Sequence, residues 1–273
     1  MKNIKVNENL LMVIRSITLT IVFVVGLELL ILLFIKVGIP ILSDSLTGNV
    51  LLEIVILSVQ CLVIKKYSSS NIFRELGLSY SRNSLINLII GIGAGLICCA
   101  LMYFSVFLMG IGFKFYSFNL VVISIFSVLI RAIFASVCEE VFFRGVLLKY
   151  LTKYKGKPFG IIVSSVIFAL PHITRYKNYN EILSVLIMGI VLGYIYIKTK
   201  SLYMSIGIHF ATDFFTSIAG TQSKPGLFII GIDPKFGLEY LSQSILMISS
   251  ILYLILLIIF VLVNKRKNFF EIV

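Results

Sequence analysis

The chain has 273 residues, of which 59% are hydrophobic and only 13% charged, and its mean hydropathy is +1.06. A soluble domain is about half apolar and about a quarter charged, so a water-soluble globular protein is excluded. The net charge of +12 does not indicate nucleic-acid binding, because the basic residues fall in short tracts between apolar runs, the pattern of loops around membrane spans.

Runs of about 20 apolar residues, the length that crosses a bilayer core, recur along the chain. They are continuous rather than alternating, which argues against a β-barrel. Eight helices are predicted, near 10–36, 48–64, 85–112, 118–149, 159–175, 181–198, 202–220 and 242–263. The fold class is therefore an all-α polytopic membrane protein of about eight transmembrane helices. Residues 1–273 read as a single integral membrane domain. The first run follows "MKNIKVNENL", exceeds a signal-peptide core and lacks a small-residue cleavage site, so it is expected to remain as the first span. The longest connection, "KKYSSSNIFRELGLSYSRNS", is polar and is expected to carry a short amphipathic piece. Cys61, Cys98, Cys99 and Cys138 all lie in apolar runs with no CxxC pair, and read as small core residues rather than disulfides or a zinc knuckle.

Loop charge sets the orientation. With the N-terminus inside, the inner segments hold fifteen basic residues: Lys2, Lys5, Lys65, Lys66, Arg74, Arg82, Lys149, Lys153, Lys155, Lys157, Lys198, Lys200, Lys265, Arg266 and Lys267. The outer segments hold six: Lys36, Lys114, Arg175, Lys177, Lys224 and Lys235. Both termini are expected in the cytoplasm of a cell-membrane protein.

Three charges in the fourth run, Glu139, Glu140 and Arg144 in "CEEVFFRG", need an explanation. Each would cost about 2.5–3.5 kcal/mol at the bilayer centre if it faced lipid, so they must face the bundle interior or water within it. Glu140 and Arg144 are spaced i,i+4 with the acid first, the favourable order for a helical ion pair. Glu139 lies about 100° around the helix from Glu140 and has no i±4 cation. A buried carboxylate left over in this way suits a proton acceptor or a metal ligand. Glu28, Glu53, Arg15 and Arg131 also lie in or near spans, and read as buried pairs or interface anchors.

The chain has two histidines, His172 in "FALPHI" and His209 in "IGIHFATDFF". Asp213 stands four residues after His209 on the same helix face, where an acid can orient an imidazole and fix its tautomer. Two histidines and two acids from three helices are the raw material of an intramembrane hydrolytic site. Pro171, just before His172, cannot donate a backbone hydrogen bond, and a broken helix inside a membrane is tolerated where it lines a cavity. Straight helices would keep Glu139, on the inner side of the fourth span, apart from His172, at the outer end of the fifth. Either the fifth helix breaks, or the fourth span begins deeper than its apolar run.

"EEVFFR" fits an EExxxR motif, "FALPH" fits FxxxH and "HFATD" fits HxxxN/D. In this order the three resemble the CAAX protease and bacteriocin-processing (CPBP, or Abi) family of intramembrane endopeptidases, which includes the type II CAAX prenyl endopeptidase. The resemblance covers residues 118–220, the catalytic-motif core helices. It implies that Glu139 and His172 activate the attacking water, that His209 and Asp213 polarise the scissile carbonyl and hold the oxyanion, that Glu140 and Arg144 form the supporting pair, and that Phe168 packs beneath the site. Many members have Asn where this chain has Asp213. An ionised Asp would repel an oxyanion, so Asp213 is protonated, a ligand, or an orienter of His209.

Two mechanisms are compatible with these residues. In one, a divalent metal such as zinc, held by Glu139, His172 and His209, lowers the pKa of bound water. In the other, Glu139 is a general base and no cofactor is needed. The HExxH spacing of common zinc proteases is absent, which favours the second. The expected activity is hydrolysis of a peptide bond in a membrane-associated peptide or protein. The expected partners are that substrate and the lipid bilayer, with no nucleic acid. A composition rich in Ile, Lys and Phe, without Trp, fits an AT-rich bacterial genome, where the resemblance makes bacteriocin or signal-peptide processing, or self-immunity, fitter roles than cleavage of prenylated proteins. The rival reading is a non-catalytic membrane scaffold, immunity or regulatory protein of the same fold. A transporter is disfavoured by the lack of internal symmetry.

Overall fold

The computed structural model describes residues 7–37, 45–68, 71–109, 112–115, 118–175, 179–220, 228–231 and 238–267. Lys2, Lys5, Lys177, Lys224 and Lys235, which enter the loop-charge comparison, lie outside the described residues. Each of the eight apolar runs becomes helix. The order is α1 (Glu8–Lys36), α2 (Ser45–Tyr67), α3 (Ile72–Glu75), α4 (Arg82–Leu108), α5 (Phe118–Glu140), a π-helical segment (Val141–Leu148), α6 (Lys149–Lys155), α7 (Lys157–Ala169), α8 (His172–Arg175), α9 (Tyr179–Thr199), α10 (Tyr203–Ile218) and α11 (Leu238–Lys267). Four stretches, Glu8–Lys36, Thr47–Tyr67, Arg82–Leu108 and Ile182–Thr199, are long and apolar enough to cross a membrane. The chain is a polytopic helical membrane protein.

Local chemistry marks the helix ends. Asn7 caps α1 by accepting from the Asn9 amide at 2.9 Å. Ser81 and Ser84 cap α4 reciprocally, each side-chain oxygen accepting from the other residue's backbone amide. The expected piece within the polar connection is the single turn α3.

A short sheet adds to the helical bundle. β1 (Gly112–Phe115) pairs antiparallel with β3 (Phe228–Gly231), which pairs parallel with β2 (Ala219–Gly220). It joins the segments that follow α4 and α10 and precede α11. The third apolar run was expected to stay helical to 112, but α4 ends at Leu108.

Two features position the site. First, α5, the π-helical segment and α6 form one unbroken helical run over 118–155. Glu139 and Glu140 therefore lie inside a long rod rather than near its end. The fourth span is longer than its apolar run, and the fifth helix also breaks: α7 stops at Ala169 and His172 begins the separate turn α8. Of the two expected ways to bring Glu139 and His172 together, the break in the fifth helix is present, whereas the fourth helix begins at Phe118, where its apolar run begins.

Second, α10 packs closely against α4. A Cβ on Gly91 would come within 2.3 Å of the Met204 carbonyl oxygen, and one on Gly207 within 2.5 Å of the Leu88 carbonyl oxygen. Only hydrogen fits at these contacts, the small-residue packing that membrane helices use in place of a hydrophobic driving force. The core around the π-helical segment includes Val63, Ile64, Val146, Leu147 and Leu148, all essentially inaccessible.

Candidate active site

Glu140 and Arg144 form the predicted ion pair, fully buried, with Nη1 at 2.5 Å from Oε1. Arg144 also donates to the Gly189 carbonyl on α9 at 3.4 Å, and its guanidinium lies 4.4 Å from the centre of the Phe168 ring. These contacts offset the cost of burying a guanidinium.

The same Glu140 Oε1 accepts a second hydrogen bond, from His209 Nδ1 at 2.9 Å. A carboxylate can only accept here, so Nδ1 carries a proton and Nε2 is turned toward the other two acids. Nε2 lies 3.5 Å from Asp213 Oδ2 and 3.9 Å from Glu139 Oε2. Asp213 thus sits beside His209 as its i+4 spacing predicts, in the position of an orienting acid. It is also the most exposed of the three carboxylates facing this ring.

His172 is half-buried, with Nδ1 at 3.1 Å from the Phe168 carbonyl oxygen. A carbonyl can only accept, so Nδ1 is protonated, and in the neutral ring Nε2 holds the lone pair. Phe168 is 2% exposed. Its ring lies 5.5 Å from His172 and meets His209 edge-on at 5.9 Å. It therefore fixes both imidazoles from below, as the motif implies.

Two cavities meet at these residues. One, of about 240 Å³, is lined by His209, Asp213, Thr212 and Cys99 among others. The other, of about 520 Å³, lies against α1 and α2 and is lined by Glu139, Phe142, Phe143 and Glu53 among others. Phe168 and His172 line both. Glu139 Oε2 is enclosed and has no hydrogen-bond partner among the described residues, although about a fifth of the side chain is exposed.

Among the described residues no three His, Cys, Asp or Glu side chains converge to hold an ion. The conditional set Glu139, His172 and His209 is not gathered: His209 commits Nδ1 to Glu140, and its Nε2 stands 3.9 Å from Glu139.

The remaining membrane charges are only partly as expected. Arg15 lies over the Tyr67 ring at 4.0 Å, and Arg131 donates to Ser217 Oγ at 3.2 Å, so both are anchors between helices. Glu53 is not in a buried ion pair among the described residues. It is 8% exposed, and its Oε2 has no hydrogen-bond partner among them. The sequence held a signal for this residue: like Glu139, it lies in an apolar helix with no cation at i±3 or i±4.

Residues 121–215 match the family model described as "Type II CAAX prenyl endopeptidase Rce1-like". The match covers about a third of the chain and contains Glu139, Glu140, Arg144, Phe168, His172, His209 and Asp213. It is the family that the three motifs resemble, and its description implies a protease. No curated protein matches the chain.

Proposed function

We propose that this chain, with its Rce1-like segment of the type II CAAX prenyl endopeptidase family, is an intramembrane endopeptidase that cuts a membrane-associated peptide or protein. The observation that carries this reading is the convergence of Glu139, His172, His209 and Asp213 on adjoining cavities, with Glu140 and Arg144 holding them from behind. No structural requirement explains an enclosed, unpartnered Glu139 oxygen facing an imidazole across 3.9 Å.

In the reaction, Glu139 takes a proton from a water molecule in the larger cavity while that water attacks the scissile carbonyl. His172, through its Nε2 lone pair, accepts a hydrogen bond from that water, and the proton taken up by Glu139 is passed to the leaving amine as the C–N bond breaks. Negative charge developing on the carbonyl oxygen needs a donor. His209 Nδ1–H is committed to Glu140, so its Nε2 serves when the ring is doubly protonated, a form that the three surrounding carboxylates stabilise. Asp213 then orients and balances His209 rather than touching the oxyanion. The site lies in the cell membrane, and the substrates are bacteriocin or signal peptides, or toxins against which the cell protects itself.

The test is cleavage of candidate peptides by purified protein in detergent, comparing wild type, Glu139→Ala and His172→Ala with and without a strong chelator. Each substitution should lower turnover by a factor of about 10² or more. Loss on chelation would select the metal version, and indifference to it the glutamate version. Retention of full biological function by both variants, with no peptide cut by any form, would replace the enzyme with a scaffold.

A further inference from the structure

The larger cavity holds a group that the proposed chemistry leaves unused. Its walls are mostly aliphatic and aromatic side chains from α1, α2, α7 and the π-helical segment. Into this apolar space come three carboxyl side chains, Glu28 from α1, Glu53 from α2 and Glu139, yet the lining includes no Lys or Arg. Glu53 is more than nine-tenths buried, and its Oε2 has no hydrogen-bond partner among the described residues.

A buried carboxylate is held at a large cost unless something cationic meets it. Arg144 is fully engaged by Glu140, Gly189 and Phe168, and His209 faces Glu140, Asp213 and Glu139. Glu53 is then either protonated in the empty cavity or ionised against a cation that arrives with the occupant. Ile21 and Leu170, on the cavity rim, are 57% and 52% exposed on the outer face of the bundle, so the cavity opens sideways toward the acyl chains.

We infer that this cavity binds an apolar peptide segment carrying one cationic side chain or free ammonium, with Glu53 as the residue that reads the charge and Glu28 as a second acid at the entrance. A zwitterionic lipid would bring a phosphate beside its ammonium, which three carboxyls repel. An uncharged acyl chain would leave Glu53 unmet. A peptide with a single lysine or arginine among apolar residues satisfies both the walls and the acids. A space of about 520 Å³ is roughly 8 Å across if equidimensional. At about 3.3 Å per residue of extended chain, the cationic residue lies within about three residues of the bond presented to Glu139. This inference rests on the endopeptidase reading only for what happens to the peptide once bound.

The probe is a synthetic apolar peptide, blocked at both ends, carrying one central lysine and a neutral fluorophore; its twin has norleucine in place of the lysine. Binding is measured to the full chain bearing Glu139→Gln, in nanodiscs of neutral phosphatidylcholine, so that anionic lipid does not recruit the lysine. The lysine peptide should bind about tenfold more tightly than its twin. Adding Glu53→Gln should bring the ratio near one, whereas Glu53→Asp, which keeps the charge, should retain most of it. Equal binding of the two peptides, or a ratio that survives Glu53→Gln, overturns the inference. Parallel cleavage assays with wild type separate it from the reading beneath it. Charge-selective binding with no peptide cut sinks the endopeptidase and leaves the cationic site. Cleavage without charge preference does the reverse.

Discussion

Glu140 Oε1 accepts from Arg144 and from His209 at once, so one buried carboxylate couples a structural pair to a site histidine. The two roles respond differently to substitution. Glu140→Ala leaves the Arg144 guanidinium buried without its counterion, which should cost about 3–5 kcal/mol of stability. The double variant Glu140→Met with Arg144→Met removes both charges and replaces them with flexible apolar side chains, so most of that stability should return. His209 would still have lost the acceptor that fixes its Nδ1 proton. Thermal unfolding in detergent should therefore show recovery in the double variant, while peptide cleavage stays low by a factor of about 10–100. A double variant that cleaves at the wild-type rate would show that Glu140 serves Arg144 alone.

At the scale of elements, periodicity and composition made the helices legible, and motif spacing made the pair Glu140–Arg144 and the neighbourhood of His209 and Asp213 legible. Both are local properties of a helix. The π-helical segment Val141–Leu148 was not legible: its wider turn is selected by packing on every side, and all eight residues are buried. The sheet was missed because its strands are only two to four residues long and β1 pairs with β3 across a sequence gap of more than a hundred residues. Glu53 was misassigned because the cavity it enters is a property of four packed elements.

The tie between α3 and α6 is similarly non-local. Tyr150 donates to Glu75 Oε1 at 2.8 Å, and Lys149 Nζ lies 3.0 Å from the same oxygen. Burial pushes the Glu75 carboxyl up, but the hydrogen bonds from Lys149 and Tyr150, with the charges of Lys149 and Lys153, outweigh it and hold the group below its ordinary value. The unfolded chain therefore binds the proton more tightly than the folded one. The stabilisation is complete above the ordinary glutamate value of 4.5, and is lost as pH falls through the lowered folded value. Wild type should unfold at higher temperature than Glu75→Gln at pH 7, by the equivalent of about 1–3 kcal/mol, and the two melting curves should approach each other as pH falls below 4.5. A gap that stays constant down to pH 3 would mean that the carboxylate charge contributes nothing to the tie.

For the whole molecule, the contacts sort the connecting segments onto two ends. Arg15 against Tyr67 brings the first half of α1 beside the end of α2. Lys149 donates to the Glu75 carbonyl, the Leu202 amide to Gly77 and the Tyr203 hydroxyl to Leu78, so α3, α6 and the turn between α9 and α10 share that end. Lys65, Lys66, Arg74, Arg82, Lys149, Lys153, Lys155, Lys157, Lys198 and Lys200 all belong to these segments. The sheet gathers the segments of the opposite end, where basic residues are few. Among the described residues the grouping expected from charge is a grouping in space, and we propose, on the positive-inside rule, that the crowded end faces the cytoplasm. In a background with the four native cysteines replaced, Lys155→Cys at the turn before α7 and Val37→Cys at the end of α1 report the two faces; both positions are exposed. A membrane-impermeant maleimide added to intact cells should label Val37→Cys and spare Lys155→Cys until the membrane is permeabilised. The reverse pattern would invert the protein, placing the acid-rich mouth of the larger cavity nearer the opposite leaflet and requiring its peptide to arrive from the other side.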